Sequence, residues 1–209
     1  MNLANGVAEK LLVVKAVIIR PDQPFTWASG IKSPIYCDNR ILLSYPSVRN
    51  YIKNALVTKA NQLNSFDVVA GVATAGIAHG MLLADAMDLP YIYIRSKAKE
   101  HGRQNLIEGH LSPGSRVLVI EDLISTGGSS IKAVEAVRAA GAQVMGVLSI
   151  FTYGLSESTE RFAAADCSHY SLSDYNTLLD VATEHGYIDA QHLHSLNQWR
   201  LNPSDWAII

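Results

Sequence analysis

The stretch Val117-Leu-Val-Ile-Glu-Asp-Leu-Ile-Ser-Thr-Gly-Gly-Ser-Ser130 combines a strand, a turn and the start of a helix. Its first four residues, Val117 to Ile120, are apolar and mostly β-branched, which is typical of a buried strand in a parallel sheet. Two carboxylates, Glu121 and Asp122, follow directly. From Ile131 onward the apolar residues recur at helical spacing. This strand–turn–helix unit predicts an α/β fold.

The turn of this unit, Ser125 to Ser129, contains only small, hydroxyl-bearing and glycine residues. Such a turn lets backbone N–H groups approach an anion closely, and the helix N-terminus adds positive potential. Because carboxylates repel a phosphate, Glu121 and Asp122 should bind hydroxyl groups or a cation. We therefore predict a sugar-phosphate site, with an ordinary polar helix cap as the simpler alternative. The motifs of nucleoside triphosphatases and dinucleotide enzymes are missing from this turn.

Strands and helices alternate along the rest of the chain. This alternation predicts an α/β fold with a doubly wound, mostly parallel sheet flanked by helices, in a single domain over residues 1–209. In such sheets ligands bind beyond the carboxyl ends of the strands, so the loops after Gly71, Ile94 and Ile120 are the candidate binding loops. Strands are predicted at 17–19, 67–71, 91–94, 117–120, 144–151 and 169–172, and helices at 3–15, 51–63, 77–87, 131–140 and 155–164, with short helices from 175 to 209.

The bulk composition excludes several classes of protein. The chain has 209 residues, 48% of them hydrophobic, which suits one globular domain with a large core. A net charge of -2 gives no general attraction to nucleic acid or to an anionic membrane. Cys37 and Cys167 lack metal-ligand spacing and are expected to be reduced thiols of a cytoplasmic protein. The N-terminus does not have the pattern of a signal peptide, and no apolar run is long enough to span a membrane.

The segment after the predicted strand 91–94 is basic. Five cationic or titratable side chains occupy every second position, which places them on one face of an extended segment: Arg95, Lys97, Lys99, His101 and Arg103. We predict that residues 97–109 form a mobile, solvated lid that closes over a polyanion. One charge contact at 4 Å is worth about 4 kcal/mol at an effective dielectric near 20, and roughly 0–1 kcal/mol when it is exposed. The lid should therefore stabilise charge mainly when it is closed.

Taken together, these motifs resemble a known family. Residues 117–130 resemble the 5-phosphoribosyl 1-pyrophosphate motif of the type I phosphoribosyltransferases. Two further segments, Phe25 to Asp38 and Arg95 to Gly102, resemble the hood and the catalytic lid of the branch of this family that uses orotate. The resemblance covers nearly the whole chain, and it implies the type I phosphoribosyltransferase fold with a small N-terminal hood at about residues 1–40.

The resemblance also implies an activity. It is the Mg²⁺-dependent transfer of ribose 5-phosphate from 5-phosphoribosyl 1-pyrophosphate to N1 of orotate, in pyrimidine biosynthesis. The implied state is a homodimer whose lid reaches the neighbouring active site, without a nucleic-acid or membrane partner. Lys99 and His101 would be catalytic. The residues implied to bind 5-phosphoribosyl 1-pyrophosphate are Arg95, Lys99, His101, Glu121, Asp122, Leu123, Ile124, Ser125, Thr126, Gly127, Gly128 and Ser129.

Further roles follow from the same resemblance. Ser125 would contact orotate, Mg²⁺ would be held mainly by the substrate, and the loop after Gly71 would bind pyrophosphate, with a cis peptide between Ala73 and Thr74. The chain departs from better-studied members in having Ala28, Ala75 and Ser96 where they carry lysines, and Tyr153 where they carry an arginine that binds the orotate carboxylate. Two alternatives stay open: a phosphoribosyltransferase for a purine base, and a non-enzymic regulator that binds nucleic acid.

Overall fold

The computed structural model describes residues 2–26, 30, 32–97 and 106–206. Its helices are α1 (Leu3–Val13), α2 (Pro46–Ala60), α3 (Gly76–Met87), α4 (Gly128–Ala139), α5 (Ser156–Ala164), α6 (Tyr175–Glu184) and α7 (Leu193–Leu201), with 3₁₀ turns at Asn39–Ser44 and Ala190–His192. Its strands are β1 (Val17–Ile19), β2 (Phe25–Thr26), β3 (Lys32–Ser33), β4 (Ile35–Cys37), β5 (Val68–Val72), β6 (Tyr91–Ile94), β7 (Ile107–Glu108), β8 (Arg116–Ile124), β9 (Gln143–Thr152) and β10 (His169–Asp174).

The main sheet confirms the predicted doubly wound architecture. Its strand order within the described residues is β10-β9-β8-β5-β6-β7, and all neighbours are parallel except β6 and β7. The central strand β5 is buried along its whole length, as expected for a strand with helices on both faces. One apolar core includes residues of α1, α2 and α6, and a second core on the other face includes residues of α4 and α5. None of the helices in the described part of the chain could span a membrane.

The strand that carries the acids is longer than predicted. β8 runs from Arg116 to Ile124, so Glu121 and Asp122 lie inside the strand and not after it. The reason is its neighbour β9, which continues alongside and pairs Leu123 with Phe151 and Ile124 with Thr152. Helix α4 likewise begins at Gly128, three residues before the first apolar residue of its helical pattern. Small and hydroxyl-bearing residues carry no hydrophobic period, so the pattern could not locate this boundary.

The end of the predicted lid also differs from the expectation. The prediction made residues 97–109 mobile and solvated, whereas Ile107–Glu108 forms strand β7, which pairs antiparallel with Tyr93 and Ile94. The side chain of Ile107 is 7% exposed and belongs to the core on the α4 side. Ile107, with Leu106 packed against the same core and the backbone pairing to β6, anchors this end of the segment. Residues 98–105, which include most of the predicted lid, lie outside the described residues.

Two small antiparallel ladders form outside the main sheet, β1 with β4 and β2 with β3. Helix α7, near the C-terminus, contacts this region. Trp199 is fully buried, and its indole Nε1 donates a hydrogen bond to the Lys32 carbonyl at 3.1 Å. Trp206 donates to the Ser195 carbonyl at 3.1 Å. Both tryptophans therefore anchor the C-terminal helices by packing and by one indole hydrogen bond each to a backbone carbonyl.

Candidate active site

Three loops meet at the carboxyl ends of the parallel strands. They follow β5, β6 and β8, as the sequence predicted. A cavity of about 430 Å³ is lined by Ala73 from the first loop, by Arg95 from the second, and by Ser129 and further residues of α4. The parallel topology explains this convergence, because neighbouring parallel strands end at the same edge of the sheet. The cavity therefore adjoins the loops after β5 and β6 and the first turn of α4, whereas Glu121, Asp122 and residues 125–127 do not belong to its described lining.

The turn between β8 and α4 has the geometry of an anion cradle. Gly127 adopts a left-handed backbone (φ 80°) immediately before the first residue of α4. A Cβ at this position would lie 3.2 Å from the Phe162 ring, so the turn also packs tightly against α5. Ser125 and Thr126 are half-buried, and Ser129 is exposed in the first turn of α4. The free N–H groups of this helix start and its positive dipole end favour a bound phosphate.

The two acids of β8 occupy different environments. Glu121 is buried (4% exposed), and its Oε2 accepts hydrogen bonds from the hydroxyls of Ser129 (3.1 Å) and Ser130 (3.3 Å). Burial, and then the negative charge of Asp122, raise the pKa of the Glu121 carboxyl well above its usual value. Leu123 is half-buried and Ile124 is buried. Glu121 therefore ties β8 to the first turn of α4.

Asp122 is half-buried, and its backbone carbonyl is hydrogen-bonded to a residue that does not belong to the main sheet. Its carbonyl oxygen accepts a hydrogen bond from Asn39 Nδ2 at 2.7 Å. Beside it, burial and the charges of Asp122 and Asp38 raise the pKa of the Cys37 thiol. Asp122 is thus the acid of the pair whose carboxylate is more accessible to a ligand.

The turn after β5 contacts the acid strand directly. The peptide bond between Ala73 and Thr74 is cis, which confirms the prediction for this bond. Gly76 begins α3 so close to β8 that a Cβ on it would lie 2.6 Å from the Ile120 carbonyl oxygen. Thr74 is exposed, whereas Ala73 and Ala75 are half-buried. The turn over residues 71–76 and the acid pair therefore form one continuous surface.

Arg95 lies at the carboxyl end of β6, as predicted. Its backbone N–H donates to the Leu106 carbonyl at 2.8 Å, and its Nη1 lies 3.4 Å from Glu108 Oε1. The Arg95 side chain is 33% exposed, so its guanidinium stays accessible to a ligand. Lys99 and His101, the two predicted catalytic residues, lie outside the described residues.

Three residues of this site escaped the sequence analysis. Asn39 was hidden inside a segment dense in turns, and its contact with Asp122 joins residues 83 positions apart. Glu108 falls within the predicted lid, and the only local signal of an anchored segment is the apolar pair Leu106-Ile107. His79 is 1% exposed, and its Nε2 donates to the Asn39 carbonyl at 3.3 Å. These contacts depend on chain topology, which no local pattern contains.

Tyr153 occupies the position at which the family resemblance implies an arginine. It is 2% exposed. Its ring packs edge-on against Phe151 and Trp199, with centroids 5.7 and 5.6 Å away. Burial raises the pKa of the Tyr153 hydroxyl well above its usual value, so this group carries no charge near neutral pH. Tyr153 is therefore a neutral residue at the position of the expected cation.

The fold and the three converging loops define a phosphoribosyltransferase, and comparison with known proteins agrees. The family model described as "Phosphoribosyl transferase domain" matches residues 45–177. Orotate phosphoribosyltransferase from Listeria monocytogenes is 51% identical over 208 residues, which cover 99% of this chain and all of that protein. The chain belongs to the orotate phosphoribosyltransferases.

Solved structures agree with this placement. Orotate phosphoribosyltransferase from Aeropyrum pernix is 28% identical to the chain, with a TM-score of 0.75, and the match covers 87% of this chain and 99% of the other. UMP synthase from Leishmania donovani is 26% identical with a TM-score of 0.80, and the match covers 95% of this chain but 43% of that longer one. The enzymes in these comparisons speak against both the purine-base alternative and the non-enzymic one.

Proposed function

We propose that this enzyme transfers ribose 5-phosphate from 5-phosphoribosyl 1-pyrophosphate to N1 of orotate, releasing pyrophosphate and forming orotidine 5′-monophosphate. The main support is that the turn after β5, the end of β6, the acid pair of β8 and the turn before α4 all lie at the same carboxyl edge of the parallel sheet. A ligand with phosphate at one end and pyrophosphate at the other needs anion sites on two of these loops, with hydroxyl acceptors between them. The acid pair in β8 supplies those acceptors.

In this proposal the 5′-phosphate binds to the turn after β8. The backbone N–H groups of Thr126 to Ser129 and the positive end of α4 hold it, and hydroxyls of the same turn add donors. Asp122 accepts hydrogen bonds from the ribose hydroxyls. Glu121 is also predicted to bind a ribose hydroxyl. To do so, that hydroxyl must replace the hydrogen bonds that Ser129 and Ser130 donate to Glu121 Oε2.

The pyrophosphate binds to residues 71–76 and to Arg95. Breaking the bond between C1 of the ribose and the pyrophosphate oxygen leaves oxocarbenium-like character at C1 and negative charge on the leaving group. Arg95 sits at the carboxyl end of β6, and Glu108 orients its guanidinium. Orotate N1, which loses its proton without a strong enzymic base, attacks the opposite face of C1 and inverts it. Catalysis then consists of positioning and of stabilising the departing charge.

Mg²⁺ fits the oxygen donors of this site. Among the described residues, no group of three or more His, Cys, Asp or Glu side chains could hold a metal ion. The substrate's pyrophosphate and hydroxyl oxygens and waters would hold the ion, and the half-buried Asp122 carboxylate would lie beside these ligands without binding the ion directly. When bound, the ion neutralises pyrophosphate charge as a Lewis acid. Asp122 keeps the hydroxyls, and any ion bound to them, at the end of β8.

The orotate ring lies between Ser125 and the hood, the N-terminal region that includes β2 to β4. Tyr153 is neutral and buried, so it cannot replace a cation for the orotate carboxylate. We assign that carboxylate instead to backbone N–H groups of the hood around Lys32 to Tyr36. Within this stretch Pro34 has no N–H, and the Ile35 N–H already donates to Ser33 Oγ at 3.3 Å. Trp199 stabilises β3 by donating a hydrogen bond from its indole Nε1 to the Lys32 carbonyl.

The lid completes the site in a homodimer, with Lys99 and His101 reaching the active site of the neighbouring subunit. Mixing two nearly inactive variants, Lys99→Ala and Asp122→Asn, tests this arrangement. Heterodimers should regain part of the wild-type activity, because one of their two sites receives both an intact lid and an intact acid. Mixtures that stay as inactive as the separate variants would show that each lid serves its own subunit.

The overall activity is tested by the loss of orotate absorbance when 5-phosphoribosyl 1-pyrophosphate and Mg²⁺ are added. The same enzyme is then offered purine bases and uracil in place of orotate. Of the bases tested, we expect only orotate to be turned over. We expect no turnover when a chelator removes Mg²⁺. Faster turnover with a purine base would contradict the proposal.

A further inference from the structure

Strand β8 loses one of its two neighbours just before the acid pair. The register between β5 and β8 ends with Gly71 opposite Ile120, whereas the register between β8 and β9 continues to Ile124 and Thr152. Beyond Ile120, β5 turns away into residues 73–76. Asp122 thus lies in a stretch that a neighbouring strand supports on one side only, which allows more movement than the middle of a sheet.

The side chain of Asn39 occupies the open side. Its Nδ2 donates to the Asp122 carbonyl oxygen at 2.7 Å. A carbonyl can only accept, so the NH₂ end of the carboxamide must face Asp122. Asn39 is 0% exposed, so the donor side of this bond is shielded from water. The Asn39 side chain therefore supplies the hydrogen bond that a neighbouring strand would donate to this carbonyl in the middle of the sheet.

Asn39 is itself held in place on two sides. The backbone carbonyl of Asn39 accepts a hydrogen bond from Nε2 of the buried His79 at 3.3 Å, and this bond connects Asn39 to α3. On the other side Asp38 caps the 3₁₀ turn that Asn39 begins, since Asp38 Oδ1 accepts from the Arg40 N–H at 3.1 Å. The Arg40 guanidinium also contacts Asp38 at 2.7 and 2.8 Å. These contacts fix the main chain that carries the carboxamide, which limits the positions its NH₂ group can take.

The same side chain is poorly suited to a purely stabilising role. Asn39 Oδ1 is buried and lacks a hydrogen-bond partner among the described residues. A buried acceptor without a partner reduces stability, which offsets at least part of what the bond to Asp122 contributes. An apolar residue would avoid this unpaired oxygen, but it would leave the Asp122 carbonyl without its donor.

We propose that Asn39 is a positioning residue that keeps the Asp122 carboxylate aligned with the ribose hydroxyls. This inference rests on the proposed function, because it assumes that Asp122 binds those hydroxyls. It predicts a specific loss: variants at position 39 should lose the preference for ribose over deoxyribose and keep their affinity for phosphate, which binds to the turn after β8.

The test is isothermal titration calorimetry with ribose 5-phosphate, with deoxyribose 5-phosphates that lack the 2- or the 3-hydroxyl, and with inorganic phosphate. The wild type should prefer ribose 5-phosphate by about tenfold or more, as expected for a hydrogen bond to a charged group. Asn39→Ala removes the donor. Asn39→Asp keeps the shape of the side chain and replaces the donor by acceptors. Both should reduce the preference to less than about threefold, with phosphate affinity within twofold of the wild type.

Tyr175→Phe is the matched control. The Tyr175 hydroxyl is also a buried side-chain donor to a backbone carbonyl, that of Leu196 at 3.0 Å, but it lies at the C-terminal helices. This variant should lower the melting temperature and leave the preference for ribose unchanged. If Asn39→Ala and Asn39→Asp behave like Tyr175→Phe, the role of Asn39 is only structural and the proposal is wrong. Failure of both Asn39 variants to fold would overturn it as well.

Asp122→Asn separates this inference from the proposed function. If Asp122→Asn loses the preference and the Asn39 variants keep it, only the positioning role of Asn39 fails. If Asp122→Asn keeps the wild-type preference, Asp122 does not bind the hydroxyls, and the assignment of the ribose site fails together with the inference.

Discussion

Gly76→Ala tests whether the pyrophosphate turn and the acid strand work as one unit. A Cβ at Gly76 would lie 2.6 Å from the Ile120 carbonyl oxygen and 3.3 Å from the Glu121 Cα. Both obstacles are main-chain atoms of a central strand, so they cannot rotate away. An ordinary carbon–oxygen contact requires the start of α3 to move by about 0.8 Å. The turn over residues 71–76 must move with it.

The effect on activity should exceed the effect on stability. Overpacking costs about 1–3 kcal/mol, and the better helix propensity of alanine returns up to about 1 kcal/mol. The net loss should therefore be about 0–3 kcal/mol, or up to roughly ten degrees in melting temperature for a domain of this size. A displacement of nearly 1 Å at a binding loop can reduce turnover by about 10²-fold. We expect kcat/KM for 5-phosphoribosyl 1-pyrophosphate to fall by about 10- to 100-fold.

The assay is steady-state kinetics beside thermal melting, with Gly6→Ala as the control. Gly6 is also a helical glycine, and a Cβ there would meet the Tyr51 hydroxyl, far from the strand ends. Gly6→Ala should change the melting temperature and leave kcat/KM near the wild-type value. A Gly76→Ala enzyme with kcat/KM within twofold of the wild type would refute the coupling between the turn and the strand.

Three further results are expected. Burial raises the folded pKa of Glu121 above its unfolded value of 4.5, so the carboxyl increasingly destabilises the fold as the pH rises from the unfolded pKa to the folded one. Glu121→Gln should therefore unfold at higher urea concentration than the wild type at pH 8 and at a similar concentration near pH 4. Hydrogen bonds from Arg116 lower the pKa of Asp67 from 3.8 to about 2. This contribution to stability is present above pH 3.8 and lost towards pH 2, so Asp67→Asn should lower the melting temperature at pH 7 and not at pH 2. Lys99→Ala should lower turnover by about 10²-fold, with a smaller effect on substrate binding, and unchanged steady-state turnover would remove the lid from the mechanism.

Much of the fold could be predicted because its signals are local. Strand β6 was predicted with its observed bounds, and the apolar runs of β5, β8 and β9 located the central strands. The errors fall where a neighbouring segment decides. β8 extends to Ile124 because β9 continues beside it, and β7 forms because Ile107 finds a core to enter. Hydrophobic spacing within one segment does not contain either fact.

The amino-acid sequence by itself determined the chemistry of the site: a glycine and hydroxyl turn, two adjacent acids and a basic segment after β6. Those properties belong to residues that are neighbours along the chain, so their spacing is sufficient. Only the tertiary structure decided which acid faces a ligand and what holds it. Glu121 turns towards Ser129 and Ser130, and Asp122 is supported by Asn39 from 83 positions away. The physical reason is that hydrogen bonds and burial depend on distance in space, and the folded chain brings these distant residues together.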